Sequence, residues 1–540
     1  MPTIPQNHKT IQTLPTRIIP HHIFWLILLT VHIILALFFL LDRSPGTDAA
    51  FSGFPLDDAW IHLVYAQNLA HSGLPYYNQG IAEAGFTSPL WMIFGALAHL
   101  VFFTTGISPV VIMKVLGILL AWLTSVAIFE ICFYFARRTL PALLGGLYTA
   151  TLPLFAFSQV SGMEVCLAAG LSGWAIIQLL KNRSLASGIL LGLGAITRPE
   201  NTILTLLVVI LALLSKRNKS DPPKSDSIMK LLLPTIILLS FWSSTCLLIT
   251  GHPLPNTYYA KFTDSYFWGG FGRIMSEVIF KMPAMFLFSG ALLYFLGVGQ
   301  MLKIQKGKMA LLIIIYPWLF LCGIAFSRNM PPQSGLYYYW LRYLVPAIPF
   351  IFIPLALGFE LLWNSAKPLT HPKSKTNILR APKLLAILLI LLSWIRLPSQ
   401  LQFRSNQYAW NCQNINEVQV ELGRWVNEHT PPDAVIAVND SGALRYFGKR
   451  KTIDLIGLNN QNILFNRELA VDIYRSPSTL TKFLKNQNAH YLIIFPTWFA
   501  PLVQSEEFKK YFKMITYRKS ENYTICAAPQ DLMVVYYGEY

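Results

Sequence analysis

Two adjacent aspartates, Asp57 and Asp58, lie shortly after the first long apolar segment of the chain, in the stretch FPLDDAWIHLVYAQNLAHSGLPYYNQG. A carboxylate can accept a proton from a nucleophile, or it can stabilise the N-terminus of a helix. The residues that follow have helical spacing, with Trp60, Leu63 and Val64 as apolar members. Taken alone, the pair favours helix capping over chemistry.

Further carboxylates occupy other short polar segments between apolar runs. Glu83 lies in IAEAGFTSPLW, Glu164 in SGMEV and Glu200 in AITRPENT. A single carboxylate at a helix end is usually a cap or a solvated group, but carboxylates next to lipid are costly and commonly functional. Several of them on one side of a membrane favour a functional site there.

Basic residues stand beside aromatic residues in segments of the same kind. Arg198 lies in TRPEN, Lys261 follows Tyr258 in NTYYAK, which also contains Asn256, and Arg342 ends the run YYYWLR. Aromatic residues at a membrane interface are commonly belt residues, so the tyrosines alone indicate little. Three cations that face one cavity would suit a phosphate monoester or diester.

These residues belong to a strongly apolar chain of 540 residues, of which 54% are hydrophobic and 13% are charged. Soluble domains carry about 25% charged residues, so most of this chain is expected to lie in lipid. The formal net charge of +17 comes from basic residues in short loops. This pattern fits the positive-inside bias of membrane proteins and argues against nucleic-acid binding.

About twelve apolar segments are candidates for membrane spans. The basic loops FARRT, KNR, KRNKSDPPK, KIQKGK and KPLTHPKSKTNILRAPK all face the cytoplasm only if one early segment does not cross. We expect this segment to be SPLWMIFGALAHLVFF (88–103), lying in the outer interface because it is short and follows a proline boundary. About eleven spans, a cytoplasmic N-terminus and an extracytoplasmic C-terminal domain follow.

The chain becomes more polar after residue 398, and we predict a transmembrane domain over 1–398 and an α/β domain over 399–540. NEVQVELGRWVNEHT has helical spacing, whereas AVIAV, KTIDLIG and HYLIIF are typical of short buried strands. Asn439 and Asp440 follow the first strand, where α/β domains commonly bind ligands, with Arg445 nearby. Asp440 also suits a helix N-cap.

The motifs DDAWIHLVYAQNLAHSGLPYYNQGIAEAGFTSPLW, SGMEV, TRPEN, PLPNTYYAK, RYLVP and VNDSGALRYFGKRKTIDLIGL occur in this order. In these motifs the chain resembles GT-C-type glycosyltransferases, and within them the bacterial group of the mycobacterial terminal arabinofuranosyltransferase. The resemblance covers residues 20–460 and is weaker beyond them.

The resemblance implies a polytopic α-helical fold with interfacial helices in the first outer loop and an active site at the extracytoplasmic membrane surface. It implies a polyprenyl-phosphate sugar as donor and a first-loop carboxylate, Asp57 or Asp58, as general base. We expect no required cofactor. A divalent cation bound by Asp57, Asp58 and Glu164 is the alternative, although no dedicated metal-binding motif occurs.

We therefore predict a glycosyltransferase of the bacterial inner membrane that moves a sugar to an extracytoplasmic glycan, lipid or protein acceptor. A single base without a covalent intermediate predicts inversion at the anomeric carbon. The residues predicted to bind the donor phosphate are Arg198, Lys261 and Arg342. Those predicted to bind substrate are Glu83, Glu164, Glu200, Asn256, Tyr258, Asn439, Asp440 and Arg445.

Two other classes of protein stay open at this point. A polytopic lipid or sugar transporter would explain the number of spans, but it predicts polar residues near the bilayer midplane, and few are found there. A non-catalytic protein of cell-envelope assembly would keep the topology without using the carboxylates.

Overall fold

A computed structural model describes residues 20–214, 224–261, 267–303, 307–327, 337–365, 381–521 and 532–540. In these residues, a bundle of apolar helices is followed by a small mixed β-sheet with helices around it. The predicted fold class, an α-helical membrane protein with a C-terminal α/β domain, is confirmed.

The first part of the bundle contains the loop that carries the two aspartates. Helix α1 (His21–Leu40) is followed by α2 (Ala49–Ser52), α3 (Asp57–Ser72) and α4 (Pro89–Thr105). Proline at the first position and the Ser88 hydroxyl, which accepts a hydrogen bond from the Trp91 amide, begin α4. Gly106 ends α4 in the left-handed conformation, with φ of 74°.

Fourteen further α-helices complete the described part of the bundle. They are α5 (Pro109–Ala136), α6 (Thr139–Thr151), α7 (Pro153–Gln159), α8 (Val165–Leu180), α9 (Ser184–Thr197), α10 (Thr202–Leu213), α11 (Lys224–Thr250), α12 (Asn256–Lys261), α13 (Phe267–Met275), α14 (Ser289–Lys303), α15 (Gly307–Ser327), α16 (Tyr337–Leu341), α17 (Phe352–Ser365) and α18 (Ala381–Trp394). Short π or 3₁₀ segments lie between some of them, at Pro199–Asn201, Ser276–Lys281, Pro283–Phe288 and Ile348–Ile351.

Seven helices of the described chain are long and apolar enough to cross a membrane. An eighth results if α6 and α7 form one span, bent by 65° at Pro153. The break follows from the proline ring, which disfavours a helical conformation at the preceding Leu152. The predicted count of about eleven also requires the shorter helices α8, α9 and α10 to cross while α4 does not.

The α/β domain begins with two helices, α19 (Leu397–Ile415) and α20 (Glu421–His429), joined by a π segment, Asn416–Val420. The elements after them are β1 (Val435–Val438), α21 (Ala443–Gly448), β2 (Lys451–Asp454), α22 (Gln461–Leu464), α23 (Arg467–Asp472), α24 (Pro477–Asn486), β3 (Tyr491–Ile494), α25 (Ala500–Val503), α26 (Glu506–Tyr511), β4 (Phe512–Lys519) and β5 (Leu532–Gly538). The sheet order is β2-β1-β3-β5-β4, parallel in β2-β1-β3 and antiparallel in β3-β5-β4. The sequence predicted the first three strands but not β4 and β5.

The α/β domain packs directly on the helical bundle through a continuous buried core. Helix α19 contributes Tyr408, whose hydroxyl donates to the Val160 carbonyl at 2.9 Å. The first loop lies against the segment after β1 and against the start of β2: Tyr77 donates to the Ser441 carbonyl, and Asn78 pairs with the backbone of Thr452. The predicted domain boundary at residue 398 coincides with the start of α19 and stays a prediction.

Candidate active site

Asp58 lies between two cations that come from distant parts of the chain. Its Oδ2 accepts hydrogen bonds from Lys261 Nζ at 2.8 Å and from Arg342 Nη2 at 2.5 Å. Asp58 is in the first turn of α3, Lys261 ends α12, and Arg342 directly follows α16. The Arg342 side chain is only 2% exposed. Three segments of the chain are therefore joined at one carboxylate oxygen.

The two cations determine the ionisation of Asp58. Burial acts to raise the pKa of Asp58, but the charges of Lys261 and Arg342 outweigh it and hold that pKa well below its usual range. In return, the Asp58 charge raises the pKa of Lys261 against the effect of burial. The triad is therefore a carboxylate with an ammonium and a guanidinium at neutral pH.

Asp58 and its partners line a narrow cavity of about 40 Å³. Six of the predicted site residues contribute to its wall: Asp58, Glu164, Arg198, Glu200, Lys261 and Arg342. The wall also contains Gly85, Thr87, Thr257 and Tyr343. Carboxylates and cations that the sequence distributes over five polar segments thus meet in one place.

A second ion pair lies in the same wall. Arg198 Nη1 donates to Glu164 Oε1 at 2.8 Å, and Arg198 Nε lies 3.6 Å from Glu200 Oε2. The guanidinium also lies 4.8 Å from the centre of the Tyr343 ring, a cation–π distance. Arg198 and Glu164 are almost fully buried. Arg198 is thus a third fixed cation of the cavity, after Lys261 and Arg342, and its charge is compensated by Glu164.

His62 is a cavity residue that the sequence analysis missed. Its Nε2 lies 3.8 Å from Glu164 Oε2, and its Nδ1 has no hydrogen-bond partner among the described residues. Burial lowers the pKa of His62, and the nearby Glu164 charge opposes this effect. The available signal was its position four residues after Asp58, which places both side chains on one helix face.

Asp57 points away from the cavity, toward the α/β domain. Its two carboxylate oxygens accept hydrogen bonds from the backbone N–H groups of Gly442 and Ala443, each at 2.7 Å. Burial and the charge of Asp440 raise the pKa of Asp57, while the two N–H donors act in the opposite direction. A Cβ at Gly442 would lie 2.2 Å from the Asp57 carbonyl oxygen, so only glycine allows this approach.

Glu83 links three segments beside the cavity. It accepts a hydrogen bond from Asn256 Nδ2 at 3.0 Å and one from the backbone N–H of Gln461 at 3.2 Å. Asn256 begins α12, the helix that ends in Lys261, so this link fixes the start of that helix. Tyr258, on the same helix, is half-buried and packs edge-on against Tyr259 without lining the cavity.

Glu83 is expected to make the stability of the protein depend on pH. Burial raises its pKa from 4.5 to about 7. Because the folded chain then binds a proton that the unfolded chain has released, the contribution of Glu83 to the free energy of unfolding falls between pH 4.5 and pH 7. The difference is at most about 3 kcal/mol.

This loss of stability can be measured as the difference between the wild type and Glu83→Gln. The Tm of the wild type should fall relative to that of the variant as the pH rises from 5 to 7.5, a range chosen to bracket the titration. Parallel Tm curves for the two proteins would contradict a protonated Glu83 in the folded state.

Three predicted acceptor-binding residues lie outside the cavity wall. Asn439 Oδ1 accepts a hydrogen bond from the Phe495 amide, and Asp440 accepts one from Gln419 Nε2 at 2.7 Å. Arg445 lies 6.0 Å from the centre of the Tyr77 ring. Arg445 thus lies beside the first loop, whereas the cited partners of Asn439 and Asp440 belong to the α/β domain, and none of the three residues lines the cavity with Asp58.

A metal ion needs several oxygen ligands that are held close together. In the described part of the chain, no group of three or more His, Cys, Asp or Glu side chains is placed to hold one. Asp58 and Glu164 both line the cavity, but each is bound to its own cation. The residues present do not fit a metal site, and we derive no step through one; the absence of a required cofactor stays a prediction.

Comparison with solved structures shows the fold. The chain is similar to ArnT from Cupriavidus metallidurans bound to undecaprenyl phosphate, with 13% identity and a TM-score of 0.56 over 96% of this chain and 97% of that one. It is also similar to the archaeal oligosaccharyltransferase AglB from Archaeoglobus fulgidus in complex with an inhibitory peptide and a dolichol-phosphate. That alignment has 12% identity and a TM-score of 0.57 over 92% of this chain and 73% of that one. The chain has the GT-C fold.

The sequence of this chain matches one family model, in its α/β domain. Residues 411–536 match a family model described as a domain of unknown function (DUF8728), which covers most of the α/β domain of this GT-C protein. No curated protein matches the sequence. The predicted likeness to the mycobacterial arabinofuranosyltransferase group is not among these findings and stays an interpretation of the motifs.

Proposed function

We propose that this protein is an integral-membrane glycosyltransferase that takes a sugar from a polyprenyl-phosphate carrier. The observation that carries the proposal is the buried triad of Asp58, Lys261 and Arg342 in the wall of a polar cavity. It contains a carboxylate for an acceptor hydroxyl and two cations for a phosphate. The undecaprenyl phosphate and dolichol-phosphate in the similar structures support a carrier of this class.

The reaction requires one proton transfer and one displacement. The bond between the anomeric carbon and the phosphate oxygen breaks, and its electron pair leaves with the phosphate. The acceptor oxygen bonds to the same carbon while Asp58 takes the hydroxyl proton. Lys261 and Arg342 stabilise the charge that develops on the leaving phosphate, so no separate acid is needed.

The contacts within the triad link the basicity of Asp58 to the binding of the donor. With both cations bound, Asp58 is a weak base because its pKa is held low. A donor phosphate that binds Lys261 and Arg342 competes with Asp58 for the same N–H donors. The exchange weakens the interactions that lower the pKa of Asp58 and raises its basicity. Asp58 therefore becomes an effective base when the donor is in place.

The stereochemistry of the proposed reaction follows from the number of available carboxylates. Glu164 is bound to Arg198 through a 2.8 Å hydrogen bond, whereas the partners of Asp58 are the two cations that we assign to the donor phosphate. Because the donor would release Asp58 from these cations, we assign Asp58 to the reacting hydroxyl. One base and no covalent sugar intermediate give inversion at the anomeric carbon. Asp57 is assigned a positioning role, since it holds α3 to the N-terminus of α21.

The remaining parts of the proposal rest on the sequence. The basic loops favour an N-terminus in the cytoplasm and a cavity on the outer side, and the bacterial inner membrane is the location that we propose. The acceptor is a glycan, lipid or protein in the extracytoplasmic space. The resemblance in the motifs suggests a pentofuranose such as arabinofuranose as the sugar.

A direct assay tests this function. Purified protein is incubated with a panel of polyprenyl-phosphate sugars and a membrane extract as acceptor source, and the products are identified by mass spectrometry. We expect free polyprenyl phosphate to be released together with a product heavier by one sugar. Transfer from a nucleotide sugar, or donors that all stay intact while native mass spectrometry shows that they do not bind, would contradict the proposal.

A further inference from the structure

A second, larger cavity lies on the other side of the segment that carries Arg342. This groove, of about 360 Å³, is lined by Leu341 and Leu344, whereas Arg342 and Tyr343, which lie between these two leucines in the sequence, line the cavity with Asp58. Residues 341–344 thus face two different spaces, the outer two toward the groove and the inner two toward the cavity with Asp58. A ligand headgroup in the groove is separated from Asp58 by this segment.

The groove combines apolar walls with basic residues. Its walls include Leu152, Pro153, Met282, Ile348 and the half-exposed or exposed rings of Phe280 and Phe403. Three cations, Lys281, Arg396 and Arg404, line it together with one carboxylate, Glu277. Glu277 pairs with Lys281 at 2.6 Å. The groove therefore has more positive than negative charge beside a large apolar surface.

The position of Arg396 places the groove at the surface of the membrane. Arg396 lies between α18, whose residues are almost all apolar, and α19, which begins with LPSQLQFRSNQY. Leu384 and Leu391 of α18 are each 62% exposed, as expected for side chains that face lipid. Arg396 itself is exposed and lies 5.1 Å from the centre of the Phe286 ring.

We propose that this groove binds an anionic glycerophospholipid of the surrounding bilayer. Its acyl chains would contact the apolar walls, and its phosphate would contact Arg396 and Arg404, which suit phosphate oxygens. The separation from Asp58 argues against the reacting carrier as the occupant. The proposal does not depend on the glycosyltransferase function.

Lipid-dependent thermal unfolding tests this site. The full-length protein in a neutral detergent is titrated with phosphatidylglycerol, with phosphatidylcholine and with undecaprenyl phosphate. We expect phosphatidylglycerol to raise Tm by about 3 °C or more, and phosphatidylcholine to have little effect. The double variant Arg396→Gln/Arg404→Gln should bind phosphatidylglycerol about tenfold more weakly, which is the loss expected for two phosphate contacts.

A matched control separates this effect from general loss of charge. Arg424→Gln/Lys509→Gln removes two exposed cations of the α/β domain that lie outside the groove and should keep the response of the wild type. Arg396→Glu alone, a change at an exposed position, should also weaken the response and provides a test if the double variant unfolds. An equal response to phosphatidylcholine, or a response that only undecaprenyl phosphate elicits, would overturn the proposal.

Discussion

Replacing Asp58 by asparagine is expected to lower the rate of sugar transfer about 10³-fold. Asparagine keeps the size of the side chain but cannot accept the proton of the acceptor hydroxyl. Lys261 and Arg342 lose their carboxylate partner, so they stay available to a donor phosphate. The expected pattern is a strong fall in kcat with donor binding equal to or tighter than that of the wild type.

The two adjacent aspartates provide the informative comparison for this experiment. Asp57→Asn should mainly lower the free energy of unfolding, because Asp57 holds the backbone N–H groups of Gly442 and Ala443. Asp48→Asn is the matched control, since the exposed Asp48 makes no side-chain cap in the same loop. If Asp58→Asn retained transfer while Asp57→Asn abolished it in a folded protein, the assignment of the base would be wrong.

Replacing Arg342 by glutamine is expected to raise the KM for the donor about 100-fold. Arg342 is buried, and removal of one member of a buried, hydrogen-bonded charge pair commonly costs 2–5 kcal/mol. The pH profile should change as well. Arg342 helps to keep the pKa of Asp58 low, so without it the carboxylate takes up a proton at a higher pH. The acid limb of kcat/KM should therefore move to higher pH.

Two further variants make the Arg342 result specific. Arg342→Lys keeps the positive charge and should restore the acid limb, but it should recover only part of the donor affinity because lysine lacks the planar fork of donors. Arg138→Gln removes a guanidinium that is 58% exposed and lies outside the cavity wall. An Arg342→Gln protein with unchanged KM and unchanged pH profile would exclude contact with the donor phosphate.

The convergence of acids and bases could be predicted from the sequence because charge patterns fix which loops share a side of the membrane. Asp58, Lys261 and Arg342 were expected on one face and form one triad. The choice between Asp57 and Asp58 could not be predicted. Neighbouring side chains on a helix point about 100° apart, so one faces the cavity and the other faces away. The partner that decides this, Gly442, is 385 residues distant in the chain.

The expected ligand site at the strand ends stays a prediction, and its residues lie apart from the cavity with Asp58. Carboxyl ends of parallel strands commonly bind ligands, which led to Asn439, Asp440 and Arg445 as candidates. In this protein the segment that follows β1 packs against the first loop, through the contacts of Tyr77 with Ser441 and of Asp57 with Gly442. Packing between distant segments determines where these side chains lie, and a local sequence pattern does not contain that information. Strand β4 could not be predicted either, because its residues are mostly exposed and do not alternate regularly between buried and exposed positions.

A structure of the wild-type protein with a bound polyprenyl phosphate, determined by cryo-electron microscopy, would show whether the lipid phosphate replaces Asp58 at Lys261 and Arg342. We expect phosphate oxygens within hydrogen-bonding distance of both cations and an Asp58 carboxylate released from at least one of them. A bound lipid whose phosphate lies elsewhere, with the triad of Asp58, Lys261 and Arg342 intact, would contradict this expectation.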